Sequence, residues 1–297
     1  MGGSGKTPFS EYLIRHFLSL NKKVSFLSRG YGRKSKGFLL FNEKMDAAQI
    51  GDEPLQIALK FRNIPVAVCE NRLKGIEQIA NLHKGCLFVI LDDAYQHRSV
   101  KPDFSILIFD YTQFHLPFLP FPTGNQREFL CEKNRADLLI INKCPVKLND
   151  AEKQALIERI KPLPDQKIYF TTIEYGEIRN VFSNEKLPDT NLKMDCIAFC
   201  GIANPTPFLS FCKDNFNVLD KIIFKDHHNY TPEDIQSIRK RFMYTKSSHC
   251  ILLCTEKDRV KMISKEFQML FNDLPVHFIQ IKIRFLDREI AFHQVLQ

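Results

Sequence analysis

The chain begins MGGSGKTPF, and this opening limits the available folds more than any later stretch. Gly2, Gly3, Ser4, Gly5, Lys6 and Thr7 fit the end of the pattern G-x4-G-K-[ST], whose glycines let backbone N–H groups turn inward around phosphate oxygens. In such a loop the lysine offers a mobile positive charge to the β- and γ-phosphates of a nucleotide, and the threonine hydroxyl coordinates Mg2+. The following run TPFSEYLIRHFLSL carries Phe9, Leu13 and Phe17 at i, i+4 and i+8, with Ile14 and Leu18 beside them. That spacing predicts a helix with one buried stripe, whose positive dipole end adds to the attraction for an anion. A loop of this kind normally hangs from the end of a buried β-strand, so the expectation is an α/β protein with a phosphate-binding core.

The later segments agree. VSFLS (24–28) reads as a short strand, and the glycine-rich basic stretch SRGYGRKSKG as the loop after it. DEPLQIALKF and NRLKGIEQIANL read as helices, and PVAV, LFVILDD, FSILIFD and ADLLIIN as continuously apolar strands. Strands of that kind alternating with helices predict a parallel sheet covered on both faces. A long Phe/Pro-rich loop lies around FHLPFLPFPTGNQRE. From about residue 165 the pattern changes: KIYFTTIEY and the polar stretch to about 192 look like a linker hairpin or an extended strand. A second series then runs through CIAFCGI, a helix from about 205, VLDKIIF, the TPEDIQSIRKRF helix, CILLC and VHFIQIKI. The expected organisation is a core lobe over 1–165, linking strands over 166–192 and a smaller α/β lobe over 193–297 that completes a cleft. Ligands of open α/β sheets sit beyond the carboxyl ends of the strands, so the loops there carry the chemistry.

Composition narrows the classes further. At 297 residues the chain can bury one large core or two smaller ones, and 44% hydrophobic with 26% charged residues is ordinary for a globular protein. A net charge of +8 suits anionic partners, although a diffuse lysine excess is more often plain solubility. Several of the nine cysteines, such as Cys86 and Cys254, sit inside apolar strand runs, as reduced buried cysteines do, which points to the cytoplasm. Cys196 and Cys200 have no second pair at zinc-finger spacing. No stretch approaches the roughly 18 apolar residues of a spanning helix, and the first residues do not read as a signal peptide.

Further candidates lie at strand and helix ends. LFVILDDAY (87–95) is an apolar strand that places Asp92 beside the loop, where it can hold Mg2+ directly or through water; Asp93 is the second acid, able to orient a neighbouring group. GDEP (51–54) sets two acids at a helix start, which alone reads as helix-end carboxylates worth about 0.3–1 kcal/mol. KDHHNYTPED (225–234) holds His227 and His228 before a helix capped near Thr231; an Asp–His pair across a cleft is a suitable base for activating a hydroxyl. INKCP (141–145) superficially matches the guanine-reading N-K-x-D of GTPases, but Pro145 stands where the purine-reading carboxylate belongs.

Taken in order, GGSGKTP, LSRGYGRKSKGF, GDEP, CENR, LDDAYQHR, PTGNQRE, INKCP, FCGIANP, DHHNYTPED and TEKD resemble the tetraacyldisaccharide 4′-kinase family, from residue 2 to about 290. The resemblance implies two α/β lobes, the larger built on a P-loop core. It implies ATP- and Mg2+-dependent transfer of the γ-phosphoryl group to the 4′-hydroxyl of an acylated glucosamine disaccharide 1-phosphate, a lipid A precursor. The expected setting is a monomer in the bacterial cytoplasm, peripheral on the inner membrane, with no nucleic-acid partner. By resemblance Lys6 and Thr7 are the loop lysine and the Mg2+ ligand, Asp92 the metal-binding acid, and Glu128 a further acid at the metal–nucleotide centre. Asp52 matches the base, reversing its helix-end reading, and it is paired with a histidine of the DHH segment, His227 in preference to His228. Arg29, Arg33, Arg72, Gln96, His97 and Arg127 are candidate contacts for substrate or nucleotide phosphates.

Two departures stand out. Ala94 and Tyr95 occupy positions where the family usually has Gly and Phe, which is harmful at Ala94 only if φ must be positive. The family also carries a basic, apolar, membrane-contacting helix and a strand ahead of the loop. Without that strand two sheet edges would be exposed and several side chains, each worth about 1.5–3 kcal/mol, would be lost from the core. The expectation is therefore a protein that begins upstream of Met1; a truncated, catalytically impaired relative is the alternative.

Overall fold

The computed structural model describes residues 3–85, 88–114, 130–188, 193–245, 247, 249–271 and 273–296. The loop turns at Gly5 into α1 (Lys6–Ser19), followed by β1 (Val24–Ser28), the short β2 (Leu39–Leu40), α2 (Ala47–Ile50), α3 (Asp52–Lys60), β3 (Val66–Val68), α4 (Arg72–Leu82) and β4 (Phe88–Leu91). Next come β5 (Ile106–Asp110), β6 (Leu138–Asn142), α5 (Asp150–Ile160) and β7 (Lys167–Asn180). The second series is β8 (Asp195–Cys200), α6 (Thr206–Asn215), β9 (Asn217–Ile223), α7 (Pro232–Tyr244), β10 (Cys250–Thr255), α8 (Glu256–Arg259), α9 (Lys265–Leu270), β11 (Val276–Phe285) and α10 (Glu289–Val295).

Two sheets result. The first is four-stranded in the order β2-β3-β1-β4, and the second seven-stranded in the order β5-β6-β7-β11-β10-β8-β9. β1 is parallel to β3 and β4, β5 and β6 are parallel to each other and to β7, and β11, β10, β8 and β9 are parallel among themselves. The strands are not parallel throughout, as their apolar character had suggested. β2 is antiparallel to β3, and β7 is antiparallel to β11 from His277↔Asn180 to Phe285↔Thr171. The 14-residue β7 is long enough to pair with β6 near its start and with β11 over most of its length, so two parallel groups of opposite direction share one sheet. The central strands β1, β3 and β6 are buried at every residue, whereas the equally apolar β4 and β5 lie on sheet edges and are mostly half-buried. β9 lies on an edge, and its residues alternate between exposed and half-buried.

Helix α1 connects the two sheets. Phe9 packs in one cluster with Leu138, Ile140, Phe285 and Phe292 of the larger sheet and α10, while Ile14 and Phe17 pack with Phe26, Ile57 and Val66 of the smaller. The described cysteines that remain free, such as Cys69, Cys196, Cys200 and Cys254, are all buried. Among the described residues no helix is long and apolar enough to cross a membrane.

A third face of α1 carries Glu11, and this residue ties the helices together. Lys60 Nζ, at the end of α3, lies 2.6 Å from Glu11 and 2.8 Å from Glu256 at the start of α8, all three side chains being at most 10% exposed. Gln56 Nε2 donates to Glu11 at 2.8 Å. Burial, and next the charge of Glu256, push Glu11 up to about 7, against the pull of Lys60. Glu11 thus keeps a proton in the folded state that the unfolded chain loses near 4.5, so its contribution to stability is full below that pH and is lost as pH rises through 7. Glu11→Gln keeps the shape without the ionisation. The melting temperature of this variant relative to wild type is expected to rise from about pH 5 to about pH 8. Thermal unfolding across that range checks it, and a difference that does not change with pH contradicts it.

Candidate functional site

The loop is built by close contact between backbone and one buried amide. Gly5 sits at φ 89°, and a Cβ there would stand 2.1 Å from Asn142 Nδ2, so only glycine fits. Asn142, fully buried at the end of β6, donates to the Ser4 carbonyl at 3.0 Å and accepts from Thr171 Oγ1 at 3.0 Å. A Cβ on Gly3 would come to 3.8 Å from the Ala203 Cβ, so the FCGIANP turn of the second series lies against the loop. Gly2 falls outside the described residues.

Beside the loop stand the two acids that follow β4. Lys6 Nζ lies 3.1 Å from Asp93 Oδ1. Thr7 and Ser10 each donate a hydroxyl to Asp92 at 3.4 Å. Asp92 is buried, and burial followed by the charge of Asp93 pushes its pKa up to about 6, with Lys6 opposing. A carboxylate held in this way gains from a cation, and the hydroxyl and carboxylate oxygens of Thr7 and Asp92 are the hard donors Mg2+ takes, usually one or two of them alongside substrate phosphates. Among the described residues no group of three His, Cys, Asp or Glu side chains converges on a metal position. Glu128 lies outside the described residues. Positive φ in this turn falls on Asp93, at 48°, and not on Ala94, so the alanine is accommodated.

Helix α3 brings the second acidic pair to the same place. Gly51, at φ 92°, opens the helix where a Cβ would meet the Tyr31 carbonyl at 3.0 Å. Asp52 and Glu53 then occupy the first turn, which favours negative charge. Glu53 is close enough to Asp92 for its charge to help raise that pKa. His227 Nδ1 lies 3.7 Å from Asp52 Oδ2, and its Nε2 lies 3.1 Å from Lys257 Nζ. His228 is engaged elsewhere: its Nε2 is 2.8 Å from Asp234 Oδ2, and its ring stacks on Phe224 at 4.5 Å. Of the two histidines, then, His227 is the one that meets Asp52.

The basic candidates divide. Arg72 is fully buried at the start of α4 and donates to the Cys69 carbonyl at 2.6 Å, leaving Nε and Nη2 without a hydrogen-bond partner. Arg29 and Asp92 both act on its charge, and Arg72 and Arg29 together with burial lower the pKa of His97. Arg72 and His97 thus lie within reach of the Asp93 charge, with Arg29 near both, a disposition suited to an anion. Arg33 instead donates to Glu70 Oε1 at 2.6 Å and the Gly37 carbonyl at 2.7 Å, bracing its own loop. Gln96 is exposed on the same turn as His97, and Arg127 lies outside the described residues.

Several contributors carried no assigned role in the sequence, although INKCP and TEKD are among the motifs of the resemblance. Asn142 stood in INKCP, both a failed guanine motif and a segment of the resemblance, with no role of its own; Lys143 next to it pairs with Asp110 at 2.6 Å. Asp258 of TEKD is buried and accepts from Gly201 N at 2.9 Å, Tyr230 Oη at 3.0 Å and Thr255 Oγ1 at 2.6 Å. It thereby joins FCGIANP, DHHNYTPED and TEKD into one structural knot under the site. Lys257 and Lys261 reach the acids of α3 from the same segment. Asn142→Ala removes the bond that holds the Ser4 carbonyl and is expected to weaken ATP binding about tenfold, equivalent to about 1.4 kcal/mol. Calorimetric titration with ATP checks this, and unchanged affinity contradicts it.

The phosphate loop, the paired acids and the Asp–His couple have counterparts in known proteins. The family model described as "Tetraacyldisaccharide-1-P 4'-kinase" matches residues 1–297. The chain is 37% identical over 292 residues to a protein from Bacteroides thetaiotaomicron named tetraacyldisaccharide 4′-kinase, covering 93% of this chain and 77% of that one. A protein of the same name from Phocaeicola vulgatus is 36% identical, over 99% of this chain and 81% of its own. Among solved structures, the "apo" form of LpxK from Aquifex aeolicus in complex with ATP superimposes with a TM-score of 0.74 at 28% identity, covering all of this chain and 84% of that one. With its whole length matched and its glycine loop, acids and histidine gathered at one place, this chain belongs to the tetraacyldisaccharide 4′-kinase family.

Proposed function

We propose that this chain is an ATP-dependent kinase that transfers the γ-phosphoryl group to the 4′-hydroxyl of a tetraacyl glucosamine disaccharide 1-phosphate, giving a lipid IV-A type product. The observation that carries this reading is that Glu53, next to Asp52 on α3, lies close enough to raise the pKa of Asp92, while Lys6 pairs with Asp93 and His227 approaches Asp52, which supports a nucleotide-phosphate loop near a base for a hydroxyl. The acceptor is an amphiphile at the cytoplasmic face of the inner membrane, and the net charge of +8 suits an anionic surface and an anionic substrate.

In this reading the loop N–H groups and Lys6 bind the β- and γ-phosphates. Thr7 and Asp92 are the residues that would hold Mg2+, which when bound neutralises charge on those phosphates. Asp52 accepts the proton of the 4′-hydroxyl as its oxygen bonds to the γ-phosphorus, while the bond from that phosphorus to the bridging oxygen breaks and ADP leaves. His227 orients Asp52 through its Nδ1 and shares the proton. Arg29, Arg72 and His97 are candidates for an anionic group of either substrate, and their closeness to one another supports this.

The test is ATP-dependent phosphorylation of the acylated disaccharide 1-phosphate, followed by mass spectrometry. Asp52→Asn is expected to lower kcat by about 10^2–10^4, the usual contribution of a general base, with ATP affinity kept. Lys6→Ala is expected to abolish ATP binding and turnover together. Near-normal turnover by Asp52→Asn contradicts the assignment of the base.

A further inference from the structure

The segment after β10 lies along α3 and meets it at both ends. Glu256 pairs with Lys60 at the carboxyl end of that helix, Lys257 lies 3.9 Å from Glu53, and Lys261 Nζ lies 3.5 Å from Asp52 Oδ2 at the amino end. Lys261 differs from an ordinary surface lysine. Its side chain is 3% exposed, and its Nζ also donates to the carbonyl of His228 at 3.0 Å. An ammonium taken out of water at that cost needs a counter-charge, and Asp52 supplies it in the resting site, Asp258 being the other carboxylate whose charge it feels. The His227 contact, at 3.7 Å, falls on the same oxygen, Oδ2, so both neighbours approach one side of the carboxylate.

We propose that Lys261 is a positioning residue for the phosphoryl-transfer step: from the C-terminal half of the chain it fixes the carboxylate of Asp52 in the orientation that receives the acceptor hydroxyl. The proposal rests on the reading of Asp52 as the base. The ion pair between Lys60 and Glu256 sets the register of the segment against α3, and the hydrogen bond from Lys261 N to the Asp258 carbonyl, 3.1 Å, holds the turn that aims the lysine. A general base loses rate steeply when it drifts, because proton transfer needs hydrogen-bond reach at about 2.6–3.2 Å.

The experiment is a double-mutant cycle on the full chain, with ATP and the tetraacyl disaccharide 1-phosphate as substrates. Lys261→Met is expected to lower kcat at least tenfold with KM for ATP within about twofold, a division a merely structural loss does not produce. In an Asp52→Asn background the same substitution is expected to change kcat by less than twofold, since the residue it positions is gone. Lys261→Gln, which removes the charge that pairs with Asp52 while staying polar, serves if the methionine variant melts before assay. Wild-type kcat in Lys261→Met or in Lys261→Gln, with Asp52→Asn inactive, overturns the role of Lys261. An equal loss in both backgrounds overturns it too, showing that the lysine acts independently of Asp52. Full activity of Asp52→Asn removes the base reading instead, and the proposal with it.

Discussion

Lys60, buried between Glu11 and Glu256, is the contact on which the arrangement depends. Each partner belongs to a helix with a different duty. α1 leaves the phosphate loop, α3 starts with Asp52 and Glu53, and α8 opens the segment that carries Lys257 and Lys261. A buried ion pair adds little net stability over apolar packing, but losing one partner costs about 3–5 kcal/mol because a bare charge remains inside. Such a contact therefore specifies a relative placement of helices. Here the placement matters because the loop and the proposed base are remote in sequence and must share a substrate.

Around this junction the motif residues divide into those proposed to meet a substrate and those whose polar atoms are engaged within the protein. Lys6, Thr7, Asp92 and Asp52 are the proposed contacts for nucleotide and acceptor, and each lies beside another polar side chain of the site. Asn142, Asp258, Tyr230 and His228 are spent within the protein, each on partners that fix a loop. A run of polar residues in a motif is thus not a run of catalytic ones. The two adjacent histidines show it most plainly, since one meets Asp52 and the other meets Asp234 on α7.

The sequence displayed the elements well because the central strands are buried and so mainly apolar, while α1 carries an apolar stripe at helical spacing. It did not display which strands are neighbours. Burial of β7 and β11 gives each an apolar face whichever way the partner runs, so the antiparallel junction between two parallel groups left no trace in periodicity. The candidate site was legible where a residue type is rare at its position: glycine at φ 89°, or paired acids after an apolar strand. Lysines 257 and 261 were not legible as partners of α3, because in a polar stretch a lysine has no pattern until the fold brings an acid to it. His227 was preferred to His228 by resemblance alone; the geometry supplies a physical reason, a Nδ1 facing Asp52 Oδ2.

The central claim is that one cleft holds the nucleotide phosphates on the α1 loop and presents the acceptor to the α3 carboxylate. A crystal structure of the chain with Mg2+, a non-hydrolysable ATP analogue and the tetraacyl disaccharide 1-phosphate tests it most directly. The account predicts the γ-phosphate on Lys6 and the 4′-hydroxyl within hydrogen-bond reach of Asp52, about 2.6–3.2 Å, on the side away from Lys261. A 4′-hydroxyl seated elsewhere, with Asp52 beyond reach of it, would contradict the account.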